Sequence, residues 1–469
     1  MLRAYYTSIV LVAFLFLLLS NQSHSNPFSP FVVIDSIQVK GNQITKRNII
    51  LRELMFHEKD TLVLSDLAEN ISKSRENLLN TSLFNFVTID TVRKDSLNMN
   101  VKITVVERWY IWPFPIFELA DRNFNVWWKT KDFSRTDYGV YIVKDNFRGR
   151  RESLKFKFQM GYNEDMAFSY TIPYINKKQT VGMGIVADFN RNHETTYATA
   201  NNEQVYYKEE NTYTRERFSQ GIRLTYRKNL RAMHYWEVKY NFASVSTPIV
   251  SYNPDYFLNS ASVFKYFSVY YKFEYDQRDS KYYPMLGYYV ALDAMKNGLG
   301  IIGDYHLNAD YILLNGKYYS KINKRFYTAW GIKGKISVPG KPSYFLQRAL
   351  GYSDYVRGYD YYVIDGQHYA LAKSELRFVL VPTQVTKIPF IKTEKFKKIH
   401  YTIYLNGYVD AGYVCDKYYY VGNSLTNTFL LGAGISLNYV TYYDKVLGID
   451  YSINKMKETG IFLHYIAPI

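Results

Sequence analysis

The chain has 469 residues, a formal net charge of +16 at pH 7, a single cysteine, 49 tyrosines and 29 phenylalanines. That length holds one large barrel with one small domain, or two to three ordinary domains. Cys415, alone, excludes an internal disulfide. The charge suits nucleic acid or the anionic headgroups and glycolipid of an outer membrane equally well, so by itself it selects no partner.

Residues 1–25 have the layout of an export signal peptide: Arg3 in the leading segment, an apolar stretch from Ile9 to Leu19, and Ser23-His24-Ser25 as a small-x-small cleavage site. The apolar stretch is too short to span a ~30 Å hydrocarbon core as a helix. No cysteine lies near the site, so no lipoprotein anchor is expected. Beyond it no long apolar run occurs, which excludes a helical membrane protein. The tyrosine excess instead suits a wall that meets headgroups and water. Without spanning helices, only a closed barrel satisfies every backbone donor in lipid.

Residues 31–107 read as a compact α/β unit. Val32, Ile34, Ile37 and Val39 make a first strand ending at the turn Gly41-Asn42. Thr45 is the expected cap of a helix through Ile49, Ile50 and Leu54, and Ser65 of a second helix with Leu67, Ile71, Leu78 and Leu79 on one stripe. Alternating segments Phe86–Val92 and Met99–Val105 follow, separated by Lys94-Asp95-Ser96, giving the order β-α-α-β-β.

Residues 108–123 read as a linker, and from Phe124 onward the pattern is period-two alternation broken by short polar turns. Leu154, Phe156, Phe158 and Met160 alternate with Lys155, Lys157 and Gln159; Tyr305, Leu307, Ala309, Tyr311 and Leu313 alternate with His306, Asn308 and Asp310. Ile403, Leu405, Val409 and Ala411 alternate with Thr402, Tyr404, Asn406 and Asp410. One face suits lipid and the other a wet lumen. Sixteen such segments are expected, near 124–132, 137–146, 150–161, 165–173, 179–190, 216–229, 232–247, 262–276, 286–296, 303–315, 323–337, 369–381, 401–414, 428–440, 444–453 and 458–466. The fold expected is mainly β: a 16-stranded antiparallel transmembrane β-barrel over 124–469, preceded by the small α/β domain. Between the eleventh and twelfth segments lies a connection too long to be structureless by default.

Several motifs together resemble the BamA/TamA superfamily of outer-membrane assembly factors and two-partner-secretion transporters, also called the bacterial surface antigen family. Val39-Lys40-Gly41-Asn42, Leu83-Phe84-Asn85-Phe86-Val87 and Val106-Glu107 are similar to one POTRA domain. Asp145-Asn146-Phe147-Arg148-Gly149 resembles the turn after an early barrel strand, and Tyr275-Asp276-Gln277-Arg278-Asp279 with Pro284 and Gly287 a mid-barrel signature. The sharpest match is Val356-Arg357-Gly358-Tyr359, with Ser374-Glu375-Leu376-Arg377-Phe378 and Val409-Asp410-Ala411-Gly412. The resemblance implies that 338–368 is an extracellular loop folded into the barrel, its Arg357 paired with Glu375 and Asp410 on the wall. Alternation independently points Glu375 inward with Lys373 and Arg377, and Asp410 inward with Tyr404 and Asn406. Arginine suits such a tether because its planar fork grips carboxylates with paired hydrogen bonds.

The resemblance also implies a weak seam between first and last strands, assigned to Phe124, Val126 and Trp128 facing Phe462 and His464. Only one POTRA-like domain is visible, which points to a specialised or accessory relative. The terminus through Ala467-Pro468-Ile469 lacks the final aromatic usual in bacterial barrels, and Pro468 cannot donate to a ladder. Expected partners are unfolded outer-membrane or secreted polypeptide clients, outer-membrane lipid and glycolipid, and accessory lipoproteins, with no nucleic acid. Insertion of β-barrel clients is the main expectation; a two-partner-secretion-like translocation pore and a passive channel are the alternatives.

Enzyme motifs fail on context. Gly298-Leu299-Gly300-Ile301-Ile302-Gly303 fits a dinucleotide loop but has expected strands on both sides, where that loop needs a following helix. His193-Glu194 lacks the second histidine of a zinc helix, and no G-x-S-x-G or P-loop occurs. No catalytic residue, cofactor or metal is expected.

Overall fold

The computed structural model describes residues 31–95, 97–119, 128, 131, 136–302, 307, 309–338, 340–387, 398–441 and 445–465. The expected signal peptide, seam residues Phe124 and Val126, and the terminal Ala467-Pro468-Ile469 lie outside these.

The first domain comprises β1 (Phe31–Lys40), α1 (Arg47–Leu51), β2 (Thr61–Val63), α2 (Leu64–Asn80), β3 (Phe84–Arg93) and β4 (Asn98–Glu107). Its sheet runs β2-β1-β4-β3, with β1 parallel to β4. Val101, Ile103 and Val105 point from β4 into one core with Ile49, Ile50, Leu67 and Leu78 of the helices. In β1 the core residues Ile34 and Ile37 are three apart, and an irregularity between Ile34 and Ser36 absorbs the odd spacing. The observed order is thus β-α-β-α-β-β; β2, three residues long, is too short to show alternation. Neither expected cap holds. The helices start after Lys46 and Val63 without a side-chain cap. Thr45 instead donates its hydroxyl to Glu107 at 2.6 Å and accepts from Asn146 at 2.8 Å, a buried carboxylate and a neighbouring domain outcompeting the local cap.

The second domain is a 16-stranded barrel sheet. Its strands are β5 (Ile111–Leu119), β6 (Thr136–Phe147), β7 (Glu152–Gly161), β8 (Asn163–Ile172), β9 (Val181–Asn192), β12 (Arg215–Tyr226), β13 (Ala232–Val245), β14 (Val263–Asp276), β15 (Gly287–Asn297), β16 (Tyr311–Lys321), β17 (Phe326–Ser337), β18 (His368–Lys387), β19 (Lys398–Cys415), β20 (Phe429–Thr441), β21 (Lys445–Asn454) and β22 (Thr459–Tyr465). Neighbours in the barrel sheet follow chain order, and each pair is antiparallel. β10 (Glu194–Ala200) and β11 (Glu203–Lys208) form a separate hairpin, and α3 (Thr247–Tyr252) is a short helix. Both lie at the mouth opposite the first domain, called here the far mouth.

Alternation is strict where the lumen is filled. On β21, Val446, Asp450 and Ser452 are buried while Leu447, Ile449, Tyr451 and Ile453 face outward. Apart from Val446 the named inner positions are polar, and the outer ones are apolar, the opposite of a soluble sandwich.

Two expected strands move. The first barrel strand is Ile111–Leu119 within the expected linker, not 124–132; Trp128 is exposed and belongs to none of the sixteen. Pro113 and Pro115 disguise β5, because prolines read against a strand. Lying two apart, they leave both missing N–H groups on one edge, which a strand laddered only to β6 among the described residues can spare. The tenth strand is Tyr311–Lys321 rather than 303–315. Its lumen-side Asn315 and Lys317 look like turn residues, yet a wet interior accepts them. The β10–β11 hairpin was not foreseen.

Candidate functional site

The connection from β17 to β18 enters the barrel as a loop closed on itself by backbone hydrogen bonds between Leu350 and Ile364. Leu350, Val356, Tyr359 and Ile364 pack on the wall residues Leu371, Val414 and Leu430. This apolar contact brings the tip to the wall; the charges fix its register. Gly358 has φ +91°, open to glycine at little cost. The wall is cut back to match, since a Cβ on Gly432 would lie 1.9 Å from the Arg357 carbonyl oxygen.

At the tip, Arg357 is fully buried. Its Nε and Nη2 donate to the two carboxylate oxygens of Asp410 at 2.8 and 2.6 Å, and its Nη1 to Glu375 at 2.5 Å. Its backbone N–H also reaches Asp410, at 3.2 Å. The Tyr408 ring lies 3.7 Å from the guanidinium carbon. Two carboxylates, one aromatic face and a fork in which each of the three nitrogens donates meet the conditions under which a buried ion pair holds a geometry. The structure therefore brings together Val356, Arg357, Gly358, Tyr359, Glu375 and Asp410, the six residues singled out from the motif.

Sequence reasoning missed the second half of the cluster. Arg377, also buried, donates to the other oxygen of Glu375 at 2.8 Å and to the Pro284 carbonyl at 2.6 Å, and lies 4.4 Å from the Tyr283 ring. The turn between β14 and β15 thus folds into the lumen from the mouth nearer the first domain. Tyr283 accepts from Asn406 at 3.1 Å and Asn438 at 3.3 Å. Alternation flagged Arg377 as inward, but its partner is a backbone oxygen, which no side-chain pattern reveals.

The loop also touches the last strand. Tyr355 shares a hydrogen bond with His464 Nδ1 at 3.0 Å and stacks on that ring at 5.6 Å, while Tyr361 lies 5.2 Å from Phe462. Both β22 residues expected at the seam therefore face the loop. Among the described residues, β22 has a ladder with β21 and none with β5. Replacing His464 by leucine removes one hydrogen bond worth about 1 kcal/mol. We expect amide exchange in β22 to quicken several-fold while β18 and β19 are unchanged; an unaltered β22 would show that the loop does not hold that strand.

A third cluster joins the domains. Glu53, buried just after α1, accepts from Arg227 at 2.7 and 3.0 Å, from Arg151 at 3.3 Å and from Tyr174 at 3.2 Å. These partners sit on three barrel turns. Burial would raise the Glu53 carboxyl, but the Arg227 and Arg151 guanidiniums hold it down at about 2. Lys46 N–H bonds the Gly149 carbonyl at 2.9 Å, and Asn80 the Asp279 carbonyl at 3.4 Å, extending the contact. Its charges come from turns far apart in sequence, so no local pattern announces it.

A barrel of sixteen strands, plugged by an arginine-tethered loop and fronted by one small α/β domain, defines the POTRA-plus-barrel class of outer-membrane proteins. The chain belongs to the Omp85 superfamily: the Omp85 superfamily domain profile matches residues 146–442. The POTRA profile, described as surface antigen variable number repeat, matches residues 32–108. No curated protein matches the chain in sequence. Among solved structures it is similar to BamA from Haemophilus ducreyi lacking POTRA domains 1–3, at 16% identity and TM-score 0.51, covering 93% of this chain and 84% of that one. It is also similar to CdiB from Escherichia coli (11% identity, TM-score 0.54, covering 93% and 76%). CdiB from Acinetobacter baumannii gives 10% identity and TM-score 0.52, covering 93% and 73%. At these identities the likeness is one of fold.

Proposed function

We propose that this protein is an outer-membrane insertion factor for β-barrel clients, a specialised or accessory relative of BamA, with its POTRA domain in the periplasm and its plugged mouth outside. The observation that carries this is the condition of β22: seven residues, laddered to β21, and gripped from the lumen by the loop. A client hairpin that pairs with an end strand satisfies its own backbone donors before it reaches lipid. The seam so assigned lies between β5 and β22, replacing the strand expected around Phe124. POTRA strand edges supply a first docking place for extended chain, and the docked POTRA domain sets that place against the near mouth. Accessory lipoproteins remain candidate partners.

A disulfide between β5 and β22, in a Cys415→Ser background, tests this. We expect the locked protein to fold and to stop client assembly, read by outer-membrane proteomics after depletion of the unlocked form, with recovery on reduction. Undiminished assembly by the locked protein rules the seam out. A two-partner-secretion-like pore is the second reading, favoured by the fold likeness to two CdiB structures; there the lock would leave export of one secreted protein intact. A passive channel would show conductance rising when Arg357 is replaced, with no change in membrane protein content.

A further inference from the structure

On the outer side of the junction between POTRA domain and barrel lies a groove of about 510 Å³ that neither plug nor seam uses. Leu54 and Met55 of the POTRA domain and Leu230 of the β12–β13 turn give it an apolar floor. Its rim is cationic, with Lys178 from the β8–β9 turn and Lys228 and Arg231 from the β12–β13 turn; no aspartate or glutamate lines it. Lys178 and Lys228 are exposed, and among the described residues neither ammonium has a carboxylate partner.

The groove is held open by its own frame. Arg52 donates to the Gln179 carbonyl at 2.7 Å and to the Arg227 carbonyl at 3.0 Å, so one guanidinium ties both turns. Each turn is also capped by an asparagine. Asn176 accepts from the N–H of Thr180 at 2.9 Å and of Val181 at 3.0 Å, and Asn229 from that of Ala232 at 2.7 Å. The lysines therefore project from fixed backbone.

Its height on the barrel identifies what reaches it. Tyr275, which lines the groove, stacks on Tyr288 at 5.8 Å. On the neighbouring strands Trp236 lies 5.7 Å from His234 and 5.6 Å from Tyr271. These outward rings form an aromatic belt of the kind that sits among headgroups. A groove at that level with a greasy floor and a cationic rim matches a phosphodiester carrying acyl chains: the anion meets the rim, and the chains continue up the wall.

We infer that this groove binds the headgroup of an anionic phospholipid of the periplasmic leaflet, its phosphate between Lys178, Lys228 and Arg231. The leaflet rests on the orientation proposed above; the site does not depend on what the barrel handles. A lipid there touches both domains at once and fastens the POTRA domain to the membrane plane.

The test is native mass spectrometry of the full chain in neutral detergent, titrated with phosphatidylglycerol, phosphatidylethanolamine or inorganic phosphate. Wild type is expected to retain phosphatidylglycerol in preference to phosphatidylethanolamine. The K178A/K228A double variant is expected to bind it about tenfold more weakly, given the attraction of surface lysines to anionic lipid. A K321A/K324A control, with the same charge removed near the β16–β17 turn, is expected to bind as wild type. Equal retention by K178A/K228A overturns the site, as does an equal loss in the control, which would reduce it to net charge. Phosphatidylethanolamine binding as well as phosphatidylglycerol, or displacement by equimolar phosphate, overturns the lipid assignment.

Discussion

Arg357→Ala is expected to destabilise the plugged barrel by about 3–5 kcal/mol, the range for removing one partner of a buried ion pair. The upper part of that range applies, because the guanidinium is fully buried and its loss leaves Asp410 with only the Lys373 ammonium, at 3.8 Å, beside the Glu375 carboxylate. Glu375 keeps a guanidinium partner, Arg377. The loop between β17 and β18 should become a protease target, and the barrel should unfold at lower denaturant. Arg357→Lys should recover little, since a point charge cannot reproduce the two-pronged grip on Asp410. Unchanged loop cleavage and unfolding midpoint in Arg357→Ala would mean that the apolar contacts of Val356, Tyr359 and Ile364 suffice to hold the plug.

Glu53→Gln is expected to release the POTRA domain from the barrel. The carboxylate is 1% exposed and neutralises Arg227 and Arg151, whose side chains keep 14% and 23% exposure. Partial access to water lets those cations re-solvate, so about 3 kcal/mol, the lower end for a broken buried pair, is expected. Cleavage near residues 108–110, between β4 and β5, and faster amide exchange in α1 would report it. The pH dependence has a definite sign. Because the folded carboxyl is held at about 2, below its ordinary 4.5, its contribution is complete above pH 4.5 and disappears as pH falls toward 2. Wild type should therefore stay docked from neutral pH to about pH 5 and loosen only in stronger acid, whereas Glu53→Gln should be loose throughout. A variant that stays protected at pH 7 would place the docking energy in the hydrogen bonds of the Lys46 backbone N–H and the Asn80 side-chain amide.

The barrel was legible in the sequence because lipid and water enforce opposite faces on every strand, and a period of two survives any choice of lumen side chain. Strand ends were less so: Asn315 and Lys317 sit in mid-strand because the interior is wet, and β5 hides behind Pro113 and Pro115. The loop tether could be read because Arg357, Glu375 and Asp410 lie in short motifs and alternation gave the inward direction separately. The junction of Glu53 with Arg151 and Arg227 was not, nor the Arg377 bond to Pro284. Both join turns or backbone atoms whose proximity exists only after folding. The caps at Thr45 and Ser65 failed for a related reason, a distant partner offering Thr45 a better bond than the helix end beside it.

Glu375 is gripped by two guanidiniums at once, Arg357 from the far-mouth loop and Arg377 from its own strand β18, and Arg377 in turn holds the Pro284 carbonyl of the near-mouth turn. Asn80 of the POTRA domain reaches the same turn that presents Pro284 to Arg377. Hydrogen bonds and ion pairs thus run from the POTRA domain through the β14–β15 turn, Arg377, Glu375 and Arg357 to the loop that touches β22, a polar path inside the lumen that is separate from the strand ladders of the wall.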